Sequence, residues 1–181
     1  MRAVIIHGWG GTPEGGWKPW LREKLRAEGF EVLAPQLPDT EHPKMDAWLE
    51  KLRETIGEPS EDLYLVGHSL GCITILRYLE SINVRIGGAV LVAGFTSNLG
   101  YEDLESFFTT RINCEKIKGN CSKFVAIHSD NDYYVSLNYA DIFKEKLGAE
   151  VVIKQNHKHF TGGDGYTELP CAFDAVIKVS K

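Results

Sequence analysis

The stretch from Leu63 to Gly71, Leu-Tyr-Leu-Val-Gly-His-Ser-Leu-Gly, constrains the fold of this chain most strongly. A short apolar run leads directly into Gly-x-Ser-x-Gly, and an apolar helical pattern follows at once. This order predicts a strand, a sharp turn at Ser69 and a helix, the arrangement that presents a nucleophilic serine. A Cβ at Gly67 or Gly71 would crowd such a turn, and we expect a strained backbone at Ser69.

The start of the predicted helix after Ser69 has a chemical consequence. Its free backbone N–H groups and the helix dipole both favour an anion beside the serine. We therefore expect the Leu70 N–H to be one donor of an oxyanion hole. The alternative is a glycine-rich turn in which Ser69 is an ordinary helix N-cap. A strand directly before the motif and a helix directly after it favour the nucleophile.

Length and charge limit the possible classes of protein. The 181 residues predict a single domain covering 1–181, with enough chain for a sizeable core. A net charge of −5, without clustered basic residues, argues against binding to nucleic acid or to an anionic membrane. No apolar run approaches the length of a transmembrane helix, and no cleavage site follows the first apolar segment. We expect a cytoplasmic protein.

The cysteines indicate neither a zinc site nor a disulfide framework. None of the four lies in a Cys-x-x-Cys pair. Cys72 falls on the helix after Ser69, where we expect it to be buried and inert. Cys114 and Cys121 flank a short polar loop and could pair, but without an export signal reduced thiols are favoured. We expect no metal and no cofactor.

Strand patterns alternate with helix patterns along the chain. Besides the run before Gly67, apolar runs predict strands at Ala3–Ile6, Phe30–Ala34, Ile86–Ala93, Phe124–His128 and Glu150–Lys154. Helical spacing predicts helices at Trp17–Glu28, Met45–Ile56, Leu70–Leu79, Leu137–Leu147 and from Tyr166 or Leu169 to Val179. The segment from Phe95 to Lys118 is irregular, and we expect short helical pieces over the site. Alternation of this kind predicts a three-layer α/β/α sandwich with a mostly parallel sheet of about six strands.

A serine hydroxyl needs a base, and histidine has a suitable pKa. His7 ends the first strand and is expected to be structural, while His68 cannot fold back onto its neighbour's hydroxyl. His128 ends the fifth strand, and His42 lies in a proline-rich loop. The remaining two, His157 and His159, both follow the last strand. We favour His159, because Phe160 and two glycines follow it in a loop that can turn toward Ser69.

A carboxylate behind the imidazole would hold its tautomer and stabilise the imidazolium. Asp130 and Asp132 both follow the fifth strand, and both residues are of a type found in turns. We choose Asp132 and expect Asp130 to brace the loop. Serine, then aspartate, then histidine is the chain order of α/β-hydrolases.

Four stretches together resemble a known family. They are His7–Gly11, Gly67–Gly71, the Asp132-x-x-Val135 end of the acid loop and Lys158–Phe160. In these the chain is similar to the small serine hydrolases related to retinoblastoma-binding protein nine, over nearly its whole length. The resemblance implies an α/β-hydrolase with little or no cap, Ser69, Asp132 and His159 as triad, and esterase-like activity. Tyr133 and Tyr134 stand where the family often has proline, which leaves Asp130 open as the acid.

The leading hypothesis is a serine hydrolase that cleaves a small ester, thioester or amide through an acyl-enzyme. The N–H groups of Trp9 and Leu70 would hold the oxyanion. Tyr101, Phe107 and Phe108 would roof a shallow substrate pocket and Trp17 would help to wall it, although core packing explains Phe107 and Phe108 equally well. A binding module on a hydrolase scaffold and an acyltransferase are the competing hypotheses. No protein partner is indicated.

Overall fold

The computed structural model describes residues 1–181 and contains six strands. They are β1 (Arg2–Ile6), β2 (Glu31–Leu33), β3 (Leu63–His68), β4 (Gly88–Val92), β5 (Phe124–Ser129) and β6 (Glu150–Lys154). All six form one sheet in the order β2-β1-β3-β4-β5-β6, and every neighbouring pair is parallel. The predicted number of strands is confirmed, and the sheet has no antiparallel pair.

Helices cover both faces of this sheet. They are α1 (Lys18–Ala27), α2 (Met45–Ile56), α3 (Leu70–Ser81), α4 (Cys114–Gly119), α5 (Asn138–Leu147) and α6 (Pro170–Val179), with a 3-10 helix at Glu102–Phe108. Helices α1 and α6 pack with Ala3, Ile5 and Val66 in one apolar cluster. The other helices pack with Val4, Ile6 and Leu65 in a second cluster. Because successive side chains of a strand point to opposite faces, this alternation produces the predicted three layers.

Strand order determines where loops can meet. Strand β1 has β2 on one side and β3 on the other, so after β2 the chain crosses back over β1 and continues across the sheet in the opposite direction. Parallel α/β sheets form their ligand crevice outside the carboxyl ends of the strands at such a switch point. The loop after β1 begins at His7, and the turn after β3 is at Ser69. The fold therefore brings these two segments together.

The observed elements differ from the predicted ones mainly at their ends. The fourth strand begins at Gly88 instead of Ile86, which forms only an isolated bridge to Cys121. The last helix begins at Pro170, because proline lacks an N–H and suits the first helical turn. The segment between β4 and β5 carries only the 3-10 helix and the six-residue α4. None of the helices combines the length and the apolar character needed to cross a bilayer.

All four cysteines are free thiols in the structure. Cys72 is fully buried on α3, as predicted, and burial raises the pKa of its thiol. Its Sγ lies 3.3 Å from the carbonyl oxygens of Gly67 and Val92, so the thiol packs beneath the turn at Ser69. Cys114 and Cys121 are not bonded to each other.

Candidate active site

Ser69 lies on the turn between β3 and α3, with φ 54° and ψ −119°. This left-handed conformation is strained for a residue with a side chain, and it exposes the serine hydroxyl at the top of the turn. The Ser69 N–H donates to Val92 O at 2.9 Å, and its carbonyl accepts from Cys72 N at 2.9 Å. Bonds to the neighbouring strand and to the new helix therefore hold the strained residue in place.

Two glycines make this turn possible. A Cβ on Gly67 would lie 2.8 Å from Cys72 N and from the backbone of Gly71. A Cβ on Gly71 would lie 2.8 Å from His7 O and would also strike the Ile6 carbonyl oxygen. Neither obstacle can move easily, because both are backbone of the central sheet or of α3. The predicted reason for the glycines is confirmed.

His159 bridges Ser69 and Asp132. Its Nε2 lies 3.0 Å from Ser69 Oγ, and its Nδ1 lies 2.7 Å from Asp132 Oδ2. Since a carboxylate can only accept, the proton of the neutral ring is on Nδ1, and Nε2 is free to accept from the serine hydroxyl. The side chains of His159 and Asp132 are only 6% and 2% exposed. The three side chains that the sequence singled out are therefore in one hydrogen-bonded row.

The two aspartates of the acid loop have different contacts. The second oxygen of Asp132 accepts from the N–H groups of Tyr134 and Val135, at 2.8 and 3.0 Å. Asp130 instead accepts from the N–H of Asn156, at 2.7 Å, in the loop after β6. Only Asp132 reaches His159. Asp130 braces the loop, as the sequence analysis expected.

The loop that carries His159 has an unusual backbone held by side chains. Asn156, Lys158 and Phe160 all have positive φ, between 50° and 58°. Ser129 Oγ accepts from His157 N at 2.9 Å, and Asn131 Oδ1 accepts from Lys158 N at 2.8 Å. Sequence reasoning missed these two supporting side chains. Their position at the end of β5 and just after it was the only available signal.

His68 forms a hydrogen bond with the same loop. Its Nε2 lies 2.8 Å from the carbonyl oxygen of His159 and must donate, because a carbonyl only accepts. Burial, followed by the charges of nearby His159 and Lys18, lowers the pKa of His68 well below its usual value. The ring is therefore neutral at pH 7 and positions His159. The sequence excludes His68 as the base but contains no signal for this contact.

His7 orients the loop after β1. Leu37 N donates to its Nε2 at 3.0 Å, so the ring proton is on Nδ1 and is donated to Gly8 O at 2.9 Å. Gly11 N also donates to Gly8 O, at 3.0 Å. In a trans peptide the next N–H points opposite to the carbonyl, so the Trp9 N–H points away from His7. The predicted structural role of His7 is thereby explained.

This loop passes directly beside the serine. A Cβ on Gly8 would lie 3.0 Å from Ser69 Cβ and 3.1 Å from His68 O, closer than such atoms usually pack, so glycine favours the approach. Leu70 is the first residue of α3, and its N–H has no partner within the helix. The Leu70 N–H therefore lies next to Ser69, and the loop that carries Trp9 passes beside the same residue.

Ser69 lies in a cleft of about 760 Å³. Its aromatic lining consists of Trp9, Phe95, Tyr101, Tyr133 and Tyr134. Trp9 and Tyr101 meet edge to face, with ring centroids 5.3 Å apart. Tyr134 meets the His159 ring in the same way at 5.1 Å. Two tyrosines that follow Asp132 directly thus form one wall, which the sequence analysis did not predict.

Three of the four residues predicted to form the pocket are elsewhere. Trp17 is completely buried, and its indole N–H donates to Phe160 O at 3.0 Å. Phe107 is also completely buried and packs edge to face on Trp48. Phe108 lines a separate cavity beside α5. The predicted pocket was therefore wrong for three of its four residues. Trp17 and Phe107 belong to the two apolar clusters. Of the four, Tyr101 alone lines the cleft.

The two histidines after β6 have different partners. His157 Nδ1 donates to Gln155 O at 2.8 Å, and its ring stacks on Tyr166 with centroids 5.1 Å apart. No group of three or more His, Cys, Asp or Glu side chains in the structure is placed to hold a metal ion. His128, at the end of β5, is buried, and burial lowers its pKa to about 4.

Comparison with known proteins places this geometry in context. A family model described as "Serine hydrolase" matches residues 3–178. The chain is 31% identical to YdeN of Bacillus subtilis over 97% of this chain and 94% of that one. It is also 31% identical to the serine hydrolase RBBP9 of Rattus norvegicus over 88% and 87% of the two chains.

Solved structures agree with the fold. The crystal structure of the ydeN gene product from B. subtilis has a TM-score of 0.94 and 30% identity, and covers 98% of this chain and 97% of that chain. Est1E from Butyrivibrio proteoclasticus has a TM-score of 0.75 at 14% identity, and covers 98% and 87%. At that identity the second likeness concerns the fold alone.

Proposed function

Because the chain belongs to the serine hydrolase family, we propose that it cleaves a small ester, thioester or amide with Ser69 as nucleophile. The observation that carries this proposal is the 3.0 Å contact between His159 Nε2 and Ser69 Oγ. It lies within the range that proton transfer to a general base requires. Asp132 on Nδ1 keeps the ring in the tautomer that can accept this proton.

The reaction has two halves. Ser69 Oγ attacks the carbonyl carbon of the substrate while its proton passes to His159 Nε2, and the carbonyl π electrons move to oxygen. The N–H groups of Trp9 and Leu70 hold that oxyanion. When it collapses, the bond to the leaving group breaks, and His159 returns its proton to that group. Water then attacks the acyl-enzyme with His159 as base, which releases the acid and free Ser69.

Burial of the His159–Asp132 pair supports the same assignment. With side chains only 6% and 2% exposed, His159 and Asp132 interact with little screening by water. Two backbone N–H groups bind the other oxygen of Asp132, so the carboxylate is held in the orientation that meets His159 Nδ1. The imidazolium that forms during each half-reaction is therefore stabilised where it arises.

A fluorophosphonate probe distinguishes this function from the competing one, a binding module with little turnover. Such a probe reacts only with an activated serine, so the wild-type chain should be labelled stoichiometrically at Ser69. Peptide mapping by mass spectrometry identifies the labelled residue. If the folded chain stays unlabelled, the scaffold hypothesis is correct and the hydrolase proposal is wrong.

The enzyme is expected to prefer short acyl groups. Only the 3-10 helix and α4 connect β4 to β5, which is too little chain for the multi-helix cap that encloses long acyl chains. Each methylene buried in the cleft should raise kcat/KM by about fourfold, since burial contributes about 0.8 kcal/mol. With p-nitrophenyl esters from acetate to palmitate, kcat/KM should rise over the first few carbons and then level or fall. A steady rise to palmitate would contradict this prediction.

A further inference from the structure

Lys18 is a largely buried lysine that has no acidic partner. It is the first residue of α1 and only 7% exposed, yet it lines the same cleft as Ser69 and His159. Its Nζ lies 3.8 Å from the position that a Cβ on Gly15 would occupy, in the loop after β1. The aliphatic stem is thus buried, and the ammonium group reaches the cleft.

No side chain of the protein neutralises this ammonium group. Burial alone accounts for the lowering of the Lys18 pKa to about 8, with no hydrogen bond and no acid opposing it. The first turn of α1 contains no acidic residue, and the N-terminal end of a helix is itself unfavourable for a cation. Glu14, the nearest acid before the helix, pairs with Arg22 instead.

The rest of the cleft does not supply a counter-charge either. Its other titratable groups are Glu41, Tyr101, Tyr133, Tyr134, His68 and His159. Glu41 is exposed at the rim beside Gly10 and forms no ion pair with Lys18. Lys18 Nζ lies over the Trp17 ring, 5.7 Å from its centroid, but this cation–π contact supplies no negative charge. A largely buried cation without a counter-charge costs stability, which is typical of a group whose counter-charge comes from a ligand.

We propose that Lys18 binds a carboxylate of the substrate, so that this hydrolase acts on esters, thioesters or amides that also carry a negative charge. The inference rests on the proposed function of Ser69, because the same cleft holds both residues. A single ammonium group matches a single carboxylate better than a phosphate, since no arginine lines the cleft to share a second charge. The substrate carboxylate would supply the counter-charge that no side chain of the protein gives Lys18.

Two pairs of esters test on which side of the scissile bond the carboxylate lies. One pair is 4-carboxyphenyl acetate and its methyl ester, with the charge on the leaving group. The other is p-nitrophenyl hydrogen glutarate and its methyl ester, with the charge on the acyl group and the spontaneous rate subtracted. In at least one pair, kcat/KM of the wild-type chain should favour the anion. A preference for the neutral ester in both pairs would overturn the proposal.

The Lys18→Met variant keeps the length and burial of the stem and removes the charge. The preference for the anionic ester should fall by about tenfold to a hundredfold, as expected for a lost hydrogen bond to a charged group. Lys24→Met, an exposed lysine on the same helix, is the matched control and should leave that preference unchanged. Equal losses on both members of each pair would assign Lys18 a merely structural role.

Two further measurements do not depend on a folded Lys18 variant, and the second of them does not require turnover. In the wild-type chain the preference should decrease as the pH rises through about 8, because Lys18 is charged below its pKa and neutral above it. His68 stays neutral over this range, since its pKa is lowered. Calorimetry on the Ser69→Ala chain should show tighter binding of 4-carboxyphenyl acetate than of its methyl ester. Equal binding would refute the role of Lys18 even if the chain proved to have no activity.

Discussion

Replacing Ser69 by alanine is expected to lower kcat/KM for every ester by about four orders of magnitude or more. The variant loses the nucleophile, and removal of one member of a triad typically has an effect of this size. Alanine keeps the Cβ of serine, so the strained φ of 54° is equally tolerated, and only the bond to His159 is lost. The melting temperature should therefore change little. Ester hydrolysis and thermal unfolding measure the two effects.

The control for this experiment is Ser122→Ala. Ser122 is exposed, follows α4 and lies outside the Ser69 cleft, so both activity and melting temperature should be preserved. A Ser69→Ala chain that kept more than a tenth of the wild-type kcat/KM would show that another residue is the nucleophile.

The second large effect is expected at His159 and Asp132. His159→Ala removes the base, and Asp132→Asn places an amide where Nδ1 needs an acceptor, which favours the wrong tautomer. Each change should reduce kcat by about 10³- to 10⁴-fold. Steady-state kinetics measure these losses, and near-wild-type thermal unfolding would exclude misfolding as the cause.

Each of these variants has a neighbour as its matched control. Asp130→Asn retains an oxygen that can accept from Asn156 N, so its effect should be mild. His157→Ala removes a ring that packs on Tyr166 and is also expected to be mild for activity. If Asp130→Asn lowers kcat more than Asp132→Asn, Asp130 is the acid and the assignment made here is wrong.

The strands and helices could be predicted because their signals are local. An unbroken apolar run such as 3–6 indicates a strand buried on both faces, and helical spacing in 45–56 indicates one buried stripe. Met45–Ile56 and Glu150–Lys154 have the predicted bounds in the structure. Element ends were less predictable, because they depend on contacts such as the isolated bridge at Ile86.

The pocket lining could not be predicted in the same way. An aromatic residue has the same local signal whether it fills a core or lines a cleft, since both environments are apolar. Trp17 and Phe107 belong to the core, whereas Tyr133 and Tyr134 border the cleft. The difference depends on helices and loops that are distant in sequence.

The sequence by itself determined the turn at Ser69, because it has glycine at positions 67 and 71. A residue with a Cβ at either position would strike the backbone of α3 or of the chain at the end of β1. It also determined that an aspartate and a histidine would follow later strands. Only the tertiary structure decided that His159 meets Ser69 and Asp132, and that Lys18 faces their cleft. These residues are far apart along the chain. Their distances depend on the order of the parallel strands and on the loop contacts of Ser129, Asn131 and His68, which no local pattern encodes.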